Sequence, residues 1–354
     1  MFNFIRRIFH IPNKPPEKKG YWFDDPYLSY IKGYTEIDNA IRDGIRLHNE
    51  VDTIHLSITP LDDENTFFIE HPNTEVAKYF HRYFLEGYHG FNEHIYGENY
   101  SFSNFLQNIT YCLITDGQAF YAIDWEEMKI KDRIFILPKF RYLKTSTMHV
   151  KGQGERRKYI QKYSLLFWIF NKDSNRERYC RKFIFNPHEV FYLRYHFFKK
   201  SPTKQCLKYI PRLERFWEGG ILYSKAVAHP EDFSLPVEKV RYQNSQEASR
   251  KHQLLRAKVR SIFNCCISDL KMTSYYDVYQ VVKQKKFLNN LRKYMIDEFN
   301  NQIMNTVSDL NNLSETPLIK EQGIMTNKEI DKWHQKYIKH EIPLDDFVSN
   351  VIKR

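Results

Sequence analysis

The sequence predicts an α+β protein: an N-terminal region in which helices and strands alternate, running into an antiparallel meander, then a C-terminal region of long helices. Three observations carry this. Between residues 35 and 88, apolar residues recur first at helical spacing, then by alternation, then at helical spacing again. Residues 118–196 are runs of β-branched and aromatic residues separated by turn signals such as "NKDSN" and "NPH". From Pro236 onward the chain has helical periodicity and almost no Gly or Pro.

Element by element, the start "FNFIRRIF" sets its apolar residues on one helical face with Arg6 and Arg7 opposite, and is either a short docking helix or a frayed end. "IPNKPPEKKG", residues 11–20, breaks regular structure with three prolines and reads as a linker or arm. Ile37, Ile41, Ile45 and Leu47 predict a helix over 35–49, and Val51, Ile54, Leu56 and Ile58 a strand after it. "HPNTEVAKYFHRYFLEGY" predicts a helix capped at Asn73 or Thr74, with Val76, Phe80, Tyr83 and Phe84 on one face.

"SFSNFLQNITYCLITDG" places Phe102, Phe105, Leu106, Ile109 and Leu113 at helical spacing, with Ser101 or Ser103 as cap. Gly117 falls just past the last turn, where a left-handed residue is needed and glycine costs least. "QAFYAIDW" then reads as a strand, "DWEEMKIKD" as a hairpin turn, and "RIFIL" as the next strand. The segment 278–310 predicts a long helix, and "MTNKEIDKWHQKYI" opens a further helix with Thr326 and Glu329 at capping-box spacing.

The 354 residues suffice for two domains or one elaborated one, and the hydrophobic fraction is dominated by 27 Phe and 25 Tyr. Five scattered cysteines without a CxxC pair argue against a disulfide framework and a thiolate zinc site, so a reducing compartment fits. There is no signal-peptide core, and "LLFWIF" is too short to span a bilayer; a soluble, unexported protein with no membrane partner is expected. Charge is distributed in blocks. Residues 21–128 hold 5 Lys/Arg against 19 Asp/Glu, a net of −14, whereas residues 129–208 hold 21 against 5, a net of +16. Residues 238–300 add 13 basic against 6 acidic residues. Such blocks suit head-to-tail contact between identical subunits, or a face turned toward a polyanion.

Candidate chemistry is sparse. Asp116, Glu127 and Lys129 match the D-x(n)-ExK pattern in which two carboxylates hold Mg²⁺ and a lysine assists the attacking water; the competing reading is a helix-ending turn plus a solvated hairpin turn. His188, Glu189 and His196 miss HExxH spacing, and His81, His89 and His94 read as ordinary histidines. No phosphate-loop or dinucleotide motif occurs, and nothing calls for a cofactor. Arg156, Arg157, Lys158 and Lys162, interleaved with Tyr159 and Tyr163, could meet phosphates or simply form a solvated basic strand face. Lys251, Arg256, Lys258, Arg260, Lys283, Lys285 and Lys286 lie on predicted long helices, either as their solvated face or as the lining of a channel for double-stranded DNA.

The order of segments resembles the tailed-bacteriophage portal protein family, the head-tail connectors. "MFNFIRRIF" with its Pro/Lys linker, "DNAIRDGIRLHNEV", "HPNTEVAKYF", "FSNFLQNITYCLITDGQAFYAI", "ILPKFRYLKTSTMHV", "QKYSLLFWIF" and "FNPHEVFYLRYHF" follow one another as the family's N-terminal elements do, over residues 1–200. Gly117, Ala119, Tyr121, Pro138, Glu189, Val190 and His196 occupy the family's places; the sequence departs from the pattern in being short for the family and in having at most "KKSP", with Ser201-Pro202, where a Gly-x-Ser-Pro-like element is usual. The order carries the resemblance; the C-terminal third is similar in being helical and in "GIMTNKEID".

The resemblance implies a ring of about a dozen copies of the chain at one capsid vertex, serving as a channel for DNA packaging and ejection. Its partners would be double-stranded DNA and the capsid, terminase and head-completion proteins, in a virion assembled in the host cytoplasm. It implies no catalytic residues and divides the chain into a basic arm and linker (1–20), an α+β wing-like domain (21–208), a connector (209–237) and a helical stem/crown-like region (238–354). A Mg²⁺-dependent nuclease and a monomeric DNA-binding protein are the alternatives.

Overall fold

The computed structural model describes residues 57–59, 66–86, 101–130, 133–152, 157–162, 182–194, 201–202 and 275–352. The expected leader helix, linker, helix 35–49 and the helical stretch expected between Pro236 and Leu270 lie outside the described residues, as does nearly all of the strand expected from Val51 to Ile58.

Strand β1 (Phe67–Glu70) leads into helix α1 (Thr74–Phe80), which continues through a π-helical turn at His81–Leu85. Asn73 is the cap: its Oδ1 accepts from the amides of Glu75 (3.0 Å) and Val76 (3.2 Å), satisfying donors that the first helical turn leaves open. The expected face Val76, Phe80, Tyr83, Phe84 is buried. Helix α2 (Phe102–Thr115) starts at Ser101, whose Oγ accepts the Asn104 amide. Phe102, Phe105, Leu106, Ile109 and Leu113 are all at most 1% exposed, and Tyr111, Cys112 and Ile114 are buried too. The second half of α2 is therefore apolar on all sides, as a central helix must be.

Strand β2 (Gln118–Ile130) is the middle of a three-stranded antiparallel sheet, flanked by β3 (Arg133–Tyr142) and β7 (Val190–Arg194). A second antiparallel sheet has the order β4 (Met148–Lys151), β5 (Lys158–Lys162), β6 (Lys182–Phe185). Every pairing is antiparallel, which agrees with the expected meander. Alternation on β2 sends Ala119, Tyr121 and Ile123 into the main core and Phe120 and Ala122 into a second cluster with Met148, Tyr159 and Phe185. Pro138 sits in β3, an edge strand that tolerates a missing amide donor, and its carbonyl accepts from the Tyr83 hydroxyl at 2.9 Å.

One expectation is corrected here. "DWEEMKIKD" is not a turn: β2 runs on to Ile130, which pairs with Arg133, so only residues 131 and 132 connect the strands. The strand survives its charged residues because the acidic side chains of β2 face basic ones on β3. Asp124 pairs with Arg141 at 2.9 Å and Glu126 with Lys139 at 4.0 Å, both on cross-strand diagonals.

Among the described residues the C-terminal region begins with helix α3 (Tyr275–Phe299), passes through a π-helical turn at Asn300–Met304 and continues as α4 (Asn305–Leu310). Phe299 is the centre of an aromatic cluster, with ring centroids 5.2 Å from Phe102, 5.6 Å from Phe191, 5.7 Å from Phe84 and Phe140, and 6.0 Å from Phe105. The helical third thus shares one core with α1, α2 and the first sheet. It also supplies an element the helical periodicity did not announce: β8 (Leu318–Glu321) pairs antiparallel with β1. Helix α5 (Asn327–Ile338) carries the expected capping box, Thr326 with Glu329, and packs with α6 (Leu344–Phe347) on the start of α3 around Val278, Val282, Ile330 and Phe347.

Candidate functional site

The proposed nuclease triplet does not come together. Asp116 ends helix α2 beside Tyr142 and Cys112, whereas Glu127 lies opposite Ile136 on the β2–β3 ribbon. Six residues of strand β3 separate those two points, roughly 20 Å at about 3.3 Å per residue. Two carboxylates that far apart cannot ligate one Mg²⁺, whose oxygen ligands stand at about 2.1 Å. Lys129 lies two residues beyond Glu127 and is exposed. Among the described residues no group of three or more His, Cys, Asp or Glu side chains is placed to hold a metal ion. His81 bonds to Glu86 at 3.3 Å and His188 is exposed, while His89, His94 and His196 lie outside the described residues.

The neighbourhood of Asp116 is built for packing. Gly117 adopts φ +81°, and its amide donates to the Leu113 carbonyl at 3.0 Å, so the helix ends in a left-handed cap. A second constraint was invisible in the sequence: a Cβ on Gly117 would lie 3.3 Å from the Cβ and amide nitrogen of Ser201. Ser201 and Pro202 are both buried, so the Ser-Pro element that follows β7 in the chain is seated on the helix-glycine-strand junction. Next to it, burial pushes the Cys112 thiol and the Tyr142 hydroxyl well above their ordinary pKa values, and the Asp116 charge adds to both shifts.

Three side-chain amides of the C-terminal helices bind backbone on three strands. The Asn311 amide accepts from the Ile136 N–H at 2.7 Å and donates to its carbonyl at 2.9 Å. Gln302 does the same to Tyr192 of β7 at 3.2 and 3.0 Å, and Asn300 to Ile319 of β8, both at 2.9 Å. Each amide supplies the donor and acceptor that a further strand would have offered, which closes edges otherwise open to pairing. Their roles depend on which strands fold against the helix, and no local pattern in the sequence signals that.

The basic candidates separate into different environments. Lys158 and Lys162 are exposed on β5, where register sets Lys158 opposite Lys151 and Lys162 opposite Lys182. Arg157 is turned elsewhere: its guanidinium stands 5.7 Å from the Tyr192 ring centroid and hydrogen-bonds Tyr159. On α3, Lys283 is exposed, Lys286 is bound to both carboxylate oxygens of Asp331 at 2.9 Å, and Lys285 is half-buried. Burial, then the Arg292 charge, lowers the Lys285 ammonium below the usual lysine range. Arg292 itself is 3% exposed and spans three elements, donating to Glu321 (2.8 Å), the Ile58 carbonyl (2.9 Å) and Asn289 (2.8 Å). Arg156, Lys251, Arg256, Lys258 and Arg260 lie outside the described residues. Sequence reasoning passed over Lys151 and Lys182; strand pairing is what joins them to the group.

No helix among the described residues is long and apolar enough to cross a membrane. No protein-family model and no curated protein matches the chain. Among solved structures it is similar to a chain of the virion of a native gene transfer agent particle, at TM-score 0.46 and 8% identity over 98% of this chain and 97% of that one. It is likewise similar to a chain from the neck of an empty gene transfer agent particle computed with C6 symmetry, at TM-score 0.46 and 9% identity over 98% of both chains. A chain from the neck of a native particle computed with C12 symmetry aligns at TM-score 0.45 and 8% identity, over 94% of this chain and 95% of that one. Likeness of this degree carries no functional argument.

Proposed function

We propose that the protein is a portal-like structural subunit, forming a ring of about a dozen copies at a capsid vertex through which DNA is packaged and ejected. The observation that carries this reading is the helix-glycine-strand junction. A Ser101-capped helix ends at a left-handed Gly117, an Ala-aromatic strand follows at once, and the buried Ser201-Pro202 pair is seated on the glycine. The helix, Gly117 and the Ala-aromatic strand are pieces on which the resemblance to the portal family rests, and here they form one packed unit with Ser201-Pro202. The order of segments around them and the opposed charge blocks support the same reading.

In this reading residues 21–208 form the wing-like part and residues 238–354 the stem and crown-like part, joined by 209–237 behind the basic arm 1–20. The division is one of role, since α3 and α4 contribute to the same core as α2 and the first sheet. Double-stranded DNA and the capsid, terminase and head-completion proteins are the proposed partners, and the reading calls for no catalytic residue.

Mass in solution tests it. Purified full-length protein, followed by native mass spectrometry and negative-stain microscopy over rising concentration, should give closed rings of a single or narrowly distributed copy number. A chain that stays monomeric at high concentration, with and without DNA, overturns the proposal.

A further inference from the structure

We infer that the lysine-bearing face of the β4–β5–β6 sheet is a sequence-independent contact for the phosphate backbone of double-stranded DNA; this rests on DNA being a partner of the chain, as proposed above, and does not require the ring. Alternation divides the sheet into two faces. Met148, Tyr159 and Phe185 belong to the second core cluster, so Lys151, Lys158, Lys162 and Lys182 share the opposite face.

Register sorts that face into three rows. Lys151 stands opposite Lys158 at one end and Lys162 opposite Lys182 at the other, with His149, Ile160 and Ile184 across the middle. Like charges placed opposite one another across a sheet destabilise it. All four lysines are exposed, and among the described residues none forms an ion pair. None of the three strands contains an Asp or Glu to offset them. A local rule broken twice on one face, without compensation from the sheet itself, marks a surface that meets negative charge from outside.

The layout selects a phosphate backbone. Ile160, at the centre, is 6% exposed, and the open Ile184 stands on the edge strand β6, so the face lacks the open apolar centre that anchors a protein partner. What it offers is charge in two groups. Lys158 and Lys162 are four residues apart on β5, roughly 13 Å at about 3.3 Å per residue. That spacing is close to the roughly 12 Å width of the B-DNA major groove, so each lysine pair can meet one of the two phosphate rows bordering it. The three strands contain no arginine, the residue whose planar fork reads guanine. Lysines grip phosphate as flexible point charges, so the contact holds the duplex without reading its bases.

The test is fluorescence anisotropy of two short labelled duplexes, one GC-rich and one AT-rich, titrated with full-length protein from about 50 to 200 mM salt. Wild type is compared with Lys158→Gln/Lys182→Gln, with the quadruple variant Lys151→Gln/Lys158→Gln/Lys162→Gln/Lys182→Gln, and with Lys328→Gln/Lys332→Gln, which removes the double variant's charge from the exposed side of α5 instead. Each phosphate contact contributes about 0.9 to the slope of log K against log salt, so the quadruple variant should flatten that slope by about 3 to 4, the double by about 2 and the α5 variant by under about 0.5. Across this range wild type should lose roughly 100-fold more affinity than the quadruple variant, equally on both duplexes. Because the opposed lysines repel, circular-dichroism melts of the sheet variants should lie no lower than wild type. Wild-type binding with an unchanged slope in the quadruple variant overturns the inference and leaves DNA as a partner; no binding by wild type overturns both, while native mass spectrometry of the same samples reports on rings separately. An equal loss in the α5 variant would make net charge the cause and overturn the inference. Weakened ring assembly with unchanged DNA binding would make the face a subunit contact, and a marked fall in melting temperature would place the lysines' partners within the chain; either overturns it equally.

Discussion

Replacing Gly117 by alanine removes two properties that the structure gives this position, and each has its own size. At φ +81° a residue with a Cβ sits in the left-handed region, at a cost of about 1–2 kcal/mol. The new Cβ would also meet the backbone nitrogen and the Cβ of Ser201 at 3.3 Å, a contact that a buried neighbour relieves only by moving a few tenths of an ångström. Overpacking of this kind adds roughly 1 kcal/mol or more. Gly117→Ala should therefore destabilise the fold by about 2–3 kcal/mol in urea unfolding followed by circular dichroism. Gly323 separates the two contributions, because it has φ +74° and a Cβ added there would meet nothing within 4 Å. Gly323→Ala should show only the conformational cost, about 1–2 kcal/mol. Asparagine, which tolerates the left-handed region, should recover much of the loss at position 323 and less of it at position 117. Equal losses for the two alanine variants would refute the claim that Ser201 is packed on the junction.

Phe299→Ala should cost about 3–5 kcal/mol, since the ring contacts five other aromatic rings and the space it leaves cannot close without moving two helices and a sheet; a loss under about 1 kcal/mol would contradict a shared core. Asn311→Ala should cost about 1–3 kcal/mol by leaving the partly buried Ile136 N–H and carbonyl without their partner, and Asn311→Asp, which lacks the donor, should not restore it. Alkaline stability should fall as pH rises through about 10 to 12. Burial, with the Glu298 charge, raises the Tyr294 hydroxyl to about 12, so the folded state keeps a proton the unfolded chain has already lost above its ordinary value near 10. The stabilisation is complete below pH 10 and disappears as pH passes the folded value; Tyr294→Phe should flatten that part of a melting-temperature profile against pH.

Local features were legible wherever neighbouring residues decide the outcome. Asn73, Ser101 and Thr326 cap the helices that their side-chain oxygens predict, because a cap is a contact over two or three residues. Gly117 ends α2 for the backbone reason that its place in the sequence suggests. The misplaced turn at 124–132 arose because charged residues on a strand read as loop when the opposing strand is unknown; Arg141 and Lys139 supply the compensation from β3. The nuclease pattern had the same weakness. Spacing along the chain cannot tell a bend that returns Glu127 to Asp116 from an extended strand that carries it away.

By itself the sequence determined the α+β class, the helix caps, the antiparallel strands after Gly117 and the division of charge into opposed blocks, all of which follow from periodicity, short-range hydrogen bonding and composition. Only the tertiary structure decided that Phe299 lies at the centre of the N-terminal core and that β8 pairs with β1. The same holds for the Asn300, Gln302 and Asn311 edge clamps, the seating of Ser201 on Gly117, and the pairing of four lysines on one face. Each joins residues far apart along the chain, and their meeting is fixed by strand register and packing, which no local pattern encodes.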